Sequence, residues 1–219
     1  MKTPTRRDQA AEEARRRILV AAADCLVRDG LAQVRMAAIA KQAGVSSGLV
    51  HYHFATKEQL FAEVLTYSSA LSRELTQRVL ERAGAHPAQR LWTFLDRCLP
   101  SDELLARDWL LWQELDLLCM RNAEMAAVSD GLYDQFYETA ASIITDGVRA
   151  GQFAVAVSDI RRVAESAVAL CDGLGTRVLS ASKELELEDA RVMVAAAVGQ
   201  LVGHAGPLPR SSRTLQASR

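Results

Sequence analysis

Apolar side chains recur every three or four residues along most of this 219-residue chain, the spacing of helices that bury one face. From Ala14 to Asp29 the pattern is Ile18, Leu19, Ala22, Cys25 and Leu26, and Gly30 stops it. Met36, Ile39 and Ala40 mark a short helix over 36–42, broken by Gly44. Ser46 is placed to cap a helix over 47–53. Thr56 with Gln59 forms a capping box for a long helix reaching about Arg82. After "AGAHP" (83–87), Pro87 opens a helix holding Leu91, Trp92, Phe94 and Leu95, which Pro100 ends. Ser101 or Asp102 caps the next, through Trp109, Trp112, Leu115 and Cys119. Further patterns cover 124–150, closed by Gly151, then 159–180 and 188–202. Strand-like alternation is confined to "FAVAV" at 153–157, read as a loop entering a helix. The predicted fold is all-α, without internal repeats.

Composition agrees: 49% of residues are hydrophobic and only five are proline, which favours a helical core over disorder. The net charge of −1 hides an asymmetry. Residues 1–60 carry ten Lys/Arg and six Asp/Glu, while residues 61–219 carry sixteen and twenty-one. A basic head on an acidic body points to a polyanion that meets the head alone. The start of the chain has no apolar leader segment, and no run is apolar enough to cross a bilayer. Cys25, Cys98, Cys119 and Cys171 are scattered, with neither metal spacing nor a disulfide framework. A cytoplasmic protein with reduced thiols is expected.

Ala40, Gly44 and Val50 carry the sharpest signal. A small residue lets a second helix cross closely, a glycine permits the tight turn, and an apolar residue six further on packs the second helix inward. That is the spacing of a helix-turn-helix. Its second helix should present Ser46, Ser47, Gly48, His51 and Tyr52 to a DNA groove, with Lys57 on a phosphate. Over residues 15–65, "RRRILVAAADCLVRDGLAQVRMAAIAKQAGVSSGLVHYHFATKEQLFAEVL", the chain resembles the DNA-binding domain of the TetR family of bacterial transcriptional regulators. The likeness lies in "RRRIL.AA", Gly30, "IA..AGVS.G", Phe54 and "KE.LF". More loosely, "IITDGVRAGQF...SDIRRVAESAVALCDGL" resembles the regulatory domains of BetI-like, choline-responsive members. The resemblance implies a homodimer that represses transcription from palindromic operators and is released by a small molecule. It implies DNA contacts at Arg35, Met36, Ser46, Ser47, Gly48, His51, Tyr52, His53 and Lys57. The family's usual Tyr-His-Tyr order at 51–53 is His-Tyr-His here, which leaves the role of each side chain open, and Phe54 reads as core.

The expected organisation is a flexible basic arm (1–11), a three-helix DNA-binding domain with the helix-turn-helix (12–55), a helical regulatory and dimerisation domain (56–204) and a disordered tail (205–219). Candidate effector residues are Trp92, Trp109, Trp112, Glu114, Asp116, Cys119, Tyr133, Phe136, Tyr137, Cys171 and Asp172, because aromatics beside carboxylates favour a cationic or aromatic ligand. Plain core packing with surface acids is the competing reading of each. Val163, Ala167, Leu170, Leu174, Val194, Val198 and Leu201 are candidate dimer contacts. His51 and His53, two apart, diverge on a helix, and no His-x₃-His or Cys-x₂-Cys pair exists, so no metal is expected. "CDGLG" (171–175) interrupts a helix instead of following a strand, so its glycines are expected to permit close helix contact. No cofactor and no enzymatic activity are expected. The alternative is a helical protein–protein interaction module with no DNA role.

Overall fold

A computed structural model describes residues 5–180 and 184–210, excepting the side chain of Arg7. Among them are nine α-helices, one 3₁₀ turn (Val157–Asp159) and no strand. The helices are α1 (Arg6–Gln33), α2 (Met36–Ala43), α3 (Ser47–His53), α4 (Lys57–Arg82), α5 (Pro87–Arg97), α6 (Glu103–Cys119), α7 (Ala123–Arg149), α8 (Ile160–Leu179) and α9 (Leu187–Leu201). The all-α expectation holds, and no described helix is long and apolar enough to cross a membrane. Two compact units emerge, residues 1–71 with 110–129 and residues 72–109 with 130–219, and α4, α6 and α7 each run through both.

In the first unit α1 packs on α2 and α3, and α2 on α3. Ile18, Ala22, Cys25 and Leu26 of α1, Ile39 and Ala40 of α2, Val50 of α3, and Phe54 are all buried. The expected arm is shorter than its sequence implied. α1 already begins at Arg6, because the Thr5 hydroxyl accepts from the Asp8 N–H and the Asp8 carboxylate accepts from the Thr5 N–H. Residues 1–4 lie outside the described part. α1 breaks where expected, at Gly30, with φ 70° and ψ 158°. Gly44, with φ 66° and ψ 38°, makes the left-handed turn out of α2.

The second unit is built on the apolar face of α5. Ala88, Leu91, Trp92 and Leu95 are buried there with Ile143 and Ile144 of α7, Ala164, Ala167 and Val168 of α8, and Val194, Ala195 and Val198 of α9. Within the segment expected to be a disordered tail, Leu208 is buried in this core and its N–H donates to the Ala195 carbonyl at 2.9 Å. Arg210 pairs with Glu188. An apolar residue among prolines gave no periodic signal, so only the packing reveals this anchor; residues 211–219 lie outside the described part.

Candidate nucleic-acid interface and effector region

α3 has only seven residues, too few to persist alone in water, so its rigidity must come from its ends and its packing. The Ser46 hydroxyl accepts from the Leu49 N–H at 3.2 Å, and Val50 is fully buried beneath. Phe54, just past the end, is buried under the Arg15 guanidinium, 5.7 Å from its ring centroid, and Arg15 also pairs with Glu63 of α4. The opposite side of α3 presents Ser46, Ser47, Gly48, His51 and Tyr52 to solvent, with Tyr52 81% exposed. Arg35, immediately before α2, is exposed, and Met36 is half-buried.

Two of the expected DNA contacts stand differently. His53 turns inward: it is half-buried, its Nε2 is buried without a hydrogen-bond partner, and its ring meets the edge of Tyr52 and the ring of Phe54. Position 53 shares a helical face with the buried Val50, which explains the difference. Lys57 does not extend a free ammonium. Its Nζ donates to the carbonyls of Leu31, at 2.5 Å, and Val34, at 3.3 Å. An ammonium has three donors, so one is left for a phosphate.

Sequence reasoning missed two ties. Gln42 bridges α2 to α1: its amide N–H donates to Asp24, and its oxygen accepts from Arg28 and Cys25. Glu114 of α6 accepts the Leu31 N–H on Oε2 at 3.1 Å. Neither has a sequence signature, because a polar residue on a helix does not announce a partner 18 or 83 positions away.

The expected effector residues divide between the units. Trp112, Glu114, Asp116 and Cys119 belong to the first. Of these, Glu114 accepts the Leu31 N–H. Burial pushes the Asp116 carboxyl above its usual range. The second unit gathers Trp92, Trp109, Tyr133, Phe136, Tyr137, Cys171 and Asp172. Trp92 and Cys171 are core, and Tyr133, Phe136 and Tyr137 pack against that core. Tyr133 and Tyr137 stack at 5.9 Å, and Phe136 meets Phe94 at 6.5 Å. Burial and then the Asp172 charge push the Tyr137 hydroxyl up; burial, above all, does the same for the Cys98 and Cys171 thiols, with Asp172 contributing. A carboxylate thus lies within electrostatic reach of a tyrosine and two cysteines. The Trp109 N–H donates to the Cys98 carbonyl at 3.3 Å, and its ring rests on Gly175, where a Cβ would stand 2.4 Å from Cζ2. A separate polar groove of about 340 Å³, lined by Arg73, Arg90, Gln135, Thr139 and Ser142 among others, includes none of these residues.

The expected dimer contacts also divide. Ala167, Val194 and Val198 are buried in the core of their own unit. Val163, Leu170 and Leu174 are half-buried against it, and Leu201 is 44% exposed. Val192 and Met193 are exposed on α9. Helices rich in small apolar residues on every side do not reveal which face turns inward. Among the described residues no group of three or more His, Cys, Asp or Glu could hold a metal.

The chain is similar to known proteins over most of its length. Residues 18–64 match the bacterial regulatory proteins of the tetR family, and residues 87–203 match the BetI-type transcriptional repressor, C-terminal family. The HTH-type transcriptional regulator BetI of Rhizobium meliloti (strain 1021) is 30% identical over 81% of this chain and 84% of its own. The HTH-type transcriptional regulator AcrR of Shigella flexneri is 31% identical over 55% of this chain and 56% of its own. A structure from Saccharomonospora viridis, described as a transcriptional regulator in complex with choline, superposes with a TM-score of 0.78 at 29% identity, covering 91% of this chain and all of that one. The chain belongs to the TetR family of bacterial transcriptional regulators, with a BetI-type repressor domain after its helix-turn-helix, and it is a ligand-responsive DNA-binding protein, not an enzyme.

Proposed function

We propose that two copies of the chain bind an inverted-repeat operator in the cytoplasm, one α3 in each of two major grooves, and repress transcription until a small organic cation binds. The observation that carries this reading is the solvent face of α3, where Ser46, Ser47, Gly48, His51 and Tyr52 stand on a helix fixed by its cap and by Val50. Short hydroxyls and a backbone without a side chain let the helix approach base edges and phosphates closely, and Tyr52 can reach further. Arg35 and Met36 contact the flanking backbone, and Lys57 offers its remaining donor to a phosphate. Two-fold symmetry sets the half-sites one helical turn apart, or a multiple of it. Val192, Met193, Leu170 and Leu201 of α8 and α9 supply the apolar surface for pairing.

The effector reading is supported by Tyr133, Phe136, Tyr137, Trp92 and Trp109 gathered in one unit with Asp172, since aromatic faces and a carboxylate attract a desolvated ammonium. The choline held by the similar Saccharomonospora viridis protein has that chemistry.

Selection of duplexes from a random pool, followed by titration at several salt concentrations, tests the DNA reading. The expected result is an enriched inverted repeat bound with a steep salt dependence. Tyr52→Ala should weaken that binding by roughly tenfold or more with the melting temperature unchanged. No enrichment, or equal binding by Tyr52→Ala, would overturn it. For the effector, choline should raise the melting temperature while its neutral carbon analogue 3,3-dimethylbutanol should not; stabilisation by both or by neither counts against a cation.

A further inference from the structure

We infer that Glu114 is a positioning residue for DNA recognition, which holds the α1–α2 joint in register from a helix outside the reading head. The inference rests on the DNA-binding reading above and assigns a role that neither the motif nor the effector chemistry requires.

The joint is short. Gly30 turns the chain with a positive φ, residues 31–34 follow, and Arg35 immediately precedes α2. The Leu31 N–H donates to Glu114 Oε2 at 3.1 Å, and the Leu31 carbonyl accepts from Lys57 Nζ at 2.5 Å. Lys57 also reaches the Val34 carbonyl. One residue is therefore gripped from both sides, by an anion on its N–H and a cation on its C=O.

Gly30 completes the device. A Cβ there would stand 3.2 Å from Glu114 Oε1, so a side chain at position 30 would press on the carboxylate as well as strain the backbone. Glycine, carboxylate and ammonium fit one another at sequence separations of 83 and 26 residues.

What lies downstream gives the grip its consequence. From Val34 the chain passes directly into α2, through the Gly44 turn and into α3. A change at Leu31 is therefore inherited by the face that reads DNA.

Three variants test this. Glu114→Ala removes the acceptor, and Glu114→Gln keeps one without the charge. Glu114→Met, of similar length but lacking an acceptor, takes the place of the alanine variant should that fail to fold by circular dichroism. Hydrogen exchange of the Leu31 amide should quicken by about tenfold or more in Glu114→Ala and stay near the parent rate in Glu114→Gln. Affinity for the duplex selected by the parent chain should fall by about tenfold in the first and by no more than about threefold in the second. Preference for that duplex over one with a base pair inserted between its halves should shrink in Glu114→Ala, which a merely structural loss would not produce. Unchanged Leu31 exchange, or unchanged affinity and spacing preference, would overturn the inference. If the parent chain selects no duplex at all, the DNA-binding reading falls and so does a role in DNA recognition, while the exchange measurement still decides whether Glu114 grips the joint.

Discussion

At the scale of single residues, the charged groups act within the fold first. Lys57 would serve any phosphate equally were its ammonium free, but it rests on the carbonyls of Leu31 and Val34. Lys57→Ala should therefore lower stability by about 1–2 kcal/mol, or a few degrees of melting temperature, as well as weaken DNA binding. Calorimetry showing lost DNA affinity at an unchanged melting temperature would return Lys57 to a purely phosphate-contacting role. Asp116 makes the opposite case. Burial raises its folded pKa above the unfolded value, so the fold favours the protonated acid. Its contribution is most favourable below the unfolded carboxyl range and is lost as pH rises through the folded pKa. Asp116→Asn should raise the melting temperature at pH 7 by roughly 1–3 °C and lose that advantage near pH 3, as read from paired melts. An equal gain at both pH values would rule out titration as the cause.

At the scale of elements, short helices depend on their joints. α3 has one side-chain cap, and Ser46→Ala should cost about 1 kcal/mol. Gly44→Ala should cost a similar amount by placing a Cβ on a left-handed backbone. Both should lower DNA affinity in proportion to the lost stability, a relation that denaturant titration beside binding would check. In the second unit the contact between α6 and α8 leaves no room for a side chain at position 175. Gly175→Ala should therefore push the Trp109 indole off its place, with a blue or red shift and altered quenching of tryptophan fluorescence. An unaltered spectrum and melting temperature would show that the helices separate freely.

At the scale of the whole molecule, half-exposed apolar surface on α8 and α9 is what a dimer would bury. Val192 and Met193 are each 47% exposed, and neither contributes to the core of its own unit. If two heads bind one duplex together, as proposed, Met193→Lys should shift sedimentation from dimer toward monomer and lower operator affinity by much more than the twofold that a lost copy alone would cause. A dimer that persists undiminished would place the pairing surface elsewhere. The same reasoning sets apart Ala167, Val194 and Val198, whose replacement by lysine should unfold the unit instead of dissociating it.

Local chemistry was legible in the residues themselves. Helical spacing with Gly30, Gly44, Ser46, Pro87 and Gly151 placed the ends of the helices within a few residues, since a glycine turn or a hydroxyl cap depends on neighbours along the chain. The solvent-exposed side of α3 followed from the same periodicity. Tertiary structure alone decided what depends on partners far away in sequence: that His53 turns inward, that Leu208 is buried, that Glu114 and Lys57 both bond to Leu31, and that Ala167, Val194 and Val198 belong to the core. The physical reason is that a backbone cap is a short-range bond with a fixed offset, whereas burial and ion placement are set by which helices meet.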